Sequence, residues 1–127
     1  MQYLPLFLNL QQKRCLVVGG GEVAARKLEL LIKAGVDITV VAISICKRVE
    51  ELKSQYPLNV QLQAFTSDDL VNAQLVVAAT DNRDLNAEIA ASAKAQGLWV
   101  NVVDRPDLGN FIFPAIIDRS PLIAAVA

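Results

Sequence analysis

Gly19, Gly21 and Ala24 follow the apolar run Cys15-Leu16-Val17-Val18 at the spacing G-x-G-x-x-A. The first glycine allows a tight turn, the second lets a pyrophosphate approach the backbone, and the small alanine lets a helix pack closely on its strand. The unpaired N–H groups of such a helix carry the positive end of its dipole and suit an anion. The spacing alone is shared by many unrelated chains. A strand before it and a helical pattern after it give it weight, and both are present here. A second group able to do chemistry is Asp104, which closes the apolar segment Leu98–Val103. Partial burial there would raise the carboxyl pKa toward a range useful for proton transfer. A substrate that gives up a hydride leaves a proton that such a base accepts. An ion pair with Arg105, or a turn cap, is the competing structural reading. Thr80-Asp81-Asn82 closes a third apolar segment, Leu75–Ala79. Thr80 could hydrogen-bond a ribose or a phosphate, or else Thr80 or Asp81 caps the helix that follows.

One part of the dinucleotide pattern is missing. A carboxylate about 20 residues beyond the glycines ordinarily binds the ribose hydroxyls, but Val41-Ala42-Ile43-Ser44 stands there, and Asp37 lies at the other end of that strand. Ser44 or backbone groups would have to serve, and Lys47 and Arg48 are near enough to accept a 2′-phosphate, so NAD and NADP both stay open. Glu22 sits where a carboxylate is favourable at any helix start. Arg119 beside Asp118 could hold a carboxylated substrate, although such a pair is more often a surface feature.

The absences are equally informative. The chain has no histidine and only two cysteines, Cys15 and Cys46. That removes Ser-His-Asp and Cys-His catalysis and leaves no residue set for a preformed zinc site. Cys15 falls within a core strand, where a reduced cysteine acts as a small hydrophobe, so no structural disulfide and a cytoplasmic location are expected. Net charge is −1 and the isoelectric point about 5.3, which provides no basic field for nucleic acid or an anionic membrane. No apolar run approaches the roughly 18 residues that span a bilayer, and Met1–Phe7 carries no signal-peptide pattern.

The elements that must position these groups follow from periodicity. With 127 residues, 54% of them hydrophobic, and a mean hydropathy of +0.38, one ordered core is expected. Strands are predicted at Arg14–Val18, Asp37–Ala42, Val60–Phe65, Leu75–Ala79 and Leu98–Val103. Helices are predicted at Glu22–Ala34, Lys47–Ser54 and Arg83–Gln96, with a loop or single turn over Thr66–Asn72. In the first helix Val23, Ala24, Leu28, Leu31 and Ile32 form the apolar stripe, and Arg26, Lys27, Glu29 and Lys33 the wet side. Val60, Leu62 and Ala64 are expected on one face of the third strand. The strand–helix alternation predicts an α/β, Rossmann-like parallel sheet of order 3-2-1-4-5, with its ligand crevice where the order reverses, between strands one and four. After Asp104 the rhythm breaks at Pro106, Gly109, Pro114 and Pro121. The run Leu122–Ala127 reads as a strand of a chain that continues, or as one that pairs with another subunit.

Leu4-Pro5-Leu6-Phe7, Cys15–Lys27, Ala78-Ala79-Thr80-Asp81, Asn101-Val102-Val103-Asp104 and Phe111-Ile112-Phe113-Pro114 followed by Ile117–Leu122 occur in order along the whole chain. Together they resemble the precorrin-2 dehydrogenase and sirohydrochlorin ferrochelatase family, the amino-terminal module of siroheme synthases. The resemblance implies NAD-dependent oxidation of precorrin-2 to sirohydrochlorin and, in some members, Fe²⁺ insertion into that tetrapyrrole in the same crevice. It places the family's catalytic aspartate on Asp104 and its NAD contacts on Glu22, Val23, Ile43 and Ser44, beside Gly19, Gly21 and Thr80. It makes the absent strand-two carboxylate ordinary, favours NAD, and implies no dedicated metal site. It also divides the chain into an NAD-binding part, 1–110, and the start of a homodimerisation segment, 111–127, with Ala127 inside that segment. Two rivals remain: a nucleotide-sensing module without catalysis, and a dehydrogenase-like part serving only in assembly. The first more often keeps the acidic residue after strand two, and it gives no reason for Asn101–Asp104 or Ile117–Leu122.

Overall fold

Alternate residues of the central strands are buried on opposite faces, which is what a parallel sheet covered on both sides requires. In the computed structural model, which describes residues 1–119 and 122–126, β1 (Arg14–Val18), β2 (Asp37–Ala42), β3 (Asn59–Leu62), β4 (Leu75–Ala78) and β5 (Trp99–Val102) form one parallel sheet. Its order is β3-β2-β1-β4-β5, as the alternation predicted. Helices α1 (Glu22–Lys33) and α2 (Lys47–Gln55) cover the face that carries Cys15, Val17, Ile38, Val40 and Val77. Helix α3 (Arg83–Ala95) and a 3-10 turn, Ser67–Leu70, cover the face that carries Leu16, Val18, Val76, Ala78 and Val100.

The local causes are visible. Ala24, Ala25, Leu28 and Leu31 bury one stripe of α1, and Gly35, at φ +73°, lets the chain leave the helix. Asn82 caps α3 by accepting the Leu85 N–H at 3.0 Å, so the cap is neither Thr80 nor Asp81. The third strand ends at Leu62, earlier than expected, and Leu62 is exposed. It lies on the outer strand, beyond the reach of the covering elements, so alternation did not bury it.

The chain after β5 folds back along that strand. Asn110 accepts the Val100 N–H on its side-chain oxygen at 2.7 Å and donates its side-chain amide to the Leu98 carbonyl at 3.0 Å. The buried Asn101 donates to the Phe111 carbonyl at 3.3 Å. These bonds set Phe111 and Phe113 against the α1 side of the core, edge to face with ring centres 5.2 Å apart. Beyond them β6 (Ala115–Arg119) and β7 (Leu122–Val126) pair antiparallel in a separate sheet, with Ile116, Ile123 and Val126 exposed. Asp118 and Arg119 lie on β6, exposed. The expected strand Leu122–Ala127 is present as far as Val126; Ala127 lies outside the described residues.

Candidate active site

A crevice of about 740 Å³ opens at the carboxyl ends of β1, β2, β4 and β5, where a doubly wound sheet collects ligands. Its walls are the β1–α1 turn (Gly19–Val23), the segment after β2 (Ile43–Cys46), the β4–α3 turn (Thr80–Asn82) and Val103–Asp104. Gly19, Gly21, Glu22, Val23, Ile43, Ser44, Thr80 and Asp104 therefore share one cavity.

The three glycines have three different reasons to be glycine. Gly19 has φ +125°, and a Cβ there would run into the Ala79 carbonyl, so the turn passes hard against the end of β4. A Cβ on Gly20 would overlap the Ser44 carbonyl and press on Ile45 and Ala42 at 2.9 and 3.0 Å. The Gly20 carbonyl in turn accepts the Cys46 N–H at 2.8 Å. This clamp between the first and second strand loops was missed from sequence, because Gly20 fills an unrestricted place in the fingerprint. The third glycine in a row was the only signal. Gly21 is the N-cap of α1, in extended conformation at φ −88°, with no side chain capping the helix, and a Cβ added to it meets nothing within 4 Å. The open space lies beside uncapped helix N–H groups. That is a fit for a pyrophosphate, and the residues present accommodate the dinucleotide that the fingerprint implies.

Thr80 does not offer a free hydroxyl. It donates to the side-chain oxygen of the buried Asn86, which also accepts the Thr80 N–H at 3.2 Å, and Asn86 donates back to the Thr80 carbonyl at 3.0 Å. Thr80 also receives the Asn82 N–H at 3.2 Å. These bonds lock the β4–α3 turn, with Thr80 lining the crevice. Asn86 is the residue that sequence reading overlooked, six positions on and one helical turn inside α3.

Asp104 is exposed rather than partly buried as expected, because it stands in a turn beyond the end of β5, at φ 62°. Its competing reading as a partner of Arg105 fails. The Arg105 guanidinium is held by Asp107 at 2.8 and 3.0 Å. Arg48, considered for a 2′-phosphate, is engaged by Glu29 at 2.7 Å and Glu51 at 3.3 Å. Lys27, placed on the wet side of α1 by periodicity, is half-buried with Nζ 4.9 Å from the centre of the Phe113 ring. Burial and the neighbouring Arg26 push its pKa down, while Asp104 pulls it up. Cys15 is buried, and burial pushes its thiol up to about 12. Among the described residues no group of three or more His, Cys, Asp or Glu side chains converges to hold a metal, and no helix is long and apolar enough to cross a membrane.

Residues 6–115 match the family model described as "Putative NAD(P)-binding". The chain is 50% identical over 127 residues to the siroheme synthase of Methylococcus capsulatus and 53% identical to that of Ectopseudomonas mendocina. Each alignment covers 100% of this chain but 27% of the relative, so the chain spans about a quarter of the length of the curated proteins it matches. Among solved structures, SirC, a precorrin-2 dehydrogenase, superposes with a TM-score of 0.85 at 30% identity, over 98% of this chain and 61% of that one.

Proposed function

We propose, from the premise that this chain belongs to the NAD(P)-binding family whose model it matches, that it is the NAD-dependent dehydrogenase part of an enzyme that oxidises precorrin-2 to sirohydrochlorin. The observation that carries the reading is that Asp104, with Arg105 turned away to Asp107, opens into the same crevice as the glycine turn. Resemblance to siroheme synthases and to a precorrin-2 dehydrogenase supports the choice of substrate.

In this reading Gly19 and Gly21 let the pyrophosphate reach the start of α1, with Glu22 and Val23 beside it. Exposed Ile43 and Ser44 take the adenosine end. When bound, NAD accepts the hydride that the substrate gives up. Asp104 takes the accompanying proton, so two electrons and two hydrogens leave precorrin-2 in all. The resemblance is what favours NAD over NADP; of the two cations after β2, Arg48 is shared between two carboxylates while Lys47 is exposed. Fe²⁺ insertion into sirohydrochlorin is a second use of the same carboxylate, with the metal entering as substrate and pyrrole protons passing to Asp104. The apolar faces of β6 and β7 support a homodimer with the boundary near residue 110, and a cytoplasmic setting agrees with two free cysteines.

The test is conversion of precorrin-2 with NAD⁺ by the full-length protein, followed by sirohydrochlorin absorbance. Asp104→Ala is expected to lower kcat by at least roughly a hundredfold while NAD⁺ binding persists. Full turnover by that variant removes Asp104 from the chemistry.

A further inference from the structure

We propose that Lys27 is an anion-binding residue of this site, receiving a carboxylate side chain of the substrate on the shelf that Phe113 forms beneath its ammonium group. The inference rests on the reading of the substrate as a carboxylate-bearing tetrapyrrole.

The placement follows from the helix. Val23 lines the crevice, and Lys27 stands four residues later on the same face of α1. Helical side chains lean toward the helix N-terminus, which at this helix is the crevice end. Lysine on a helix ordinarily extends its ammonium into water. Here the side chain is half-buried instead, with Nζ 4.9 Å from the Phe113 ring centre. The ring faces a cation but does not neutralise it.

No carboxylate among the described residues lies within ion-pairing distance of Lys27. Asp104 is near enough for its charge to be felt, and Arg26 adds repulsion. The result is a positive charge held partly dry over the Phe113 ring, without an ion-pair partner among the described residues, one helical turn along α1 from Val23 of the crevice. A carboxylate arriving there restores the balance.

Two ligands of the site could supply an anion, the substrate and the cofactor. The cofactor's phosphates belong at Gly21, more than a turn earlier on α1. Phe113, by contrast, comes from the segment that follows β5 and Asp104. That geometry points to the substrate.

The test measures precorrin-2 kinetics and NAD⁺ affinity in the full-length protein for the wild type, Lys27→Gln, Lys27→Met and Lys27→Arg. The neutral variants are expected to raise KM for precorrin-2 at least roughly tenfold, with kcat within about threefold and NAD⁺ affinity unchanged. Lys27→Arg is expected to recover most of the loss. In the wild type KM should rise with ionic strength, and that dependence should shrink in Lys27→Gln. An unchanged KM in both neutral variants, a parallel loss of NAD⁺ affinity, absence of rescue by arginine, or a flat salt dependence in the wild type each overturns the assignment. A wild-type protein that binds NAD⁺ but leaves precorrin-2 unoxidised removes the substrate reading, and this inference with it. Oxidation that is insensitive to Lys27 removes this inference alone.

Discussion

Neighbouring glycines of the β1–α1 turn should separate stability from cofactor binding. At Gly21 the backbone is in an extended conformation open to any residue, and an added Cβ meets nothing within 4 Å. Aspartate is moreover a favoured N-cap, so Gly21→Asp is expected to leave stability unchanged or raise it by a few tenths of a kcal/mol. The same carboxylate would stand where we place the pyrophosphate. Two charges about 4 Å apart at an effective dielectric near 20 repel by about 4 kcal/mol. Allowing for side-chain movement and screening, a loss of about 2–4 kcal/mol corresponds to roughly 30- to 1,000-fold in Kd for NAD⁺. Gly20→Ala should behave in the opposite way. Its Cβ would overlap the Ser44 carbonyl, which is backbone and cannot rotate aside, and the bond from the Cys46 N–H to Gly20 would be strained. Overpacking costs about 1–3 kcal/mol and the hydrogen bond about 1 more. At about 4 °C per kcal/mol for a chain of this size, Tm should fall by roughly 8–16 °C. Calorimetric titration with NAD⁺ and thermal unfolding of both variants give the two readouts. Wild-type NAD⁺ affinity in Gly21→Asp would refute the pyrophosphate placement, and a wild-type Tm in Gly20→Ala would refute the clamp.

Asn86→Ala strips the three bonds that hold Thr80 and leaves the half-buried Thr80 N–H unpaired, so chemical denaturation should report a loss of about 1–3 kcal/mol. Cys15 links stability to alkaline pH: its folded pKa, near 12, lies above the ordinary 9.0. Its contribution is therefore complete below about pH 9 and is lost as pH rises toward 12. Cys15→Ala should be less stable at neutral pH but should show a shallower decline across that window. Wild-type slopes in Cys15→Ala would refute the linkage.

The sheet was legible because its signals are local and redundant. The apolar runs at Leu16–Val18 and Leu75–Ala78 are long enough for central strands and too short for helices, and Gly35 and Gly97 mark helix ends. Crevice position followed from strand order alone. What escaped prediction depends on contacts between segments distant in sequence. Lys27 lies on the polar side of a helical wheel, which carries no information about Phe113 returning from beyond β5. The bonds between Thr80 and Asn86 reach beyond the short stretch around Thr80, so they are not legible there. Asp104 was expected partly buried from the apolar strand before it, whereas the turn carries it past the end of the sheet. Leu62 obeys alternation, but it sits at the end of the outer strand, past the cover that reaches Val60.

The bond from Cys46 to Gly20 also bears on the entropy of cofactor capture. Under the proposed function a dinucleotide engages the β1–α1 turn and the loop after β2 together, and two independent loops would each lose freedom as it entered. Here a backbone hydrogen bond and close packing at Gly20 tie the two loops together before any ligand arrives. Most of the ordering cost is met when the chain folds, so more of each cofactor contact remains as affinity. A glycine in an unrestricted place of a common fingerprint thereby contributes to preorganising the crevice.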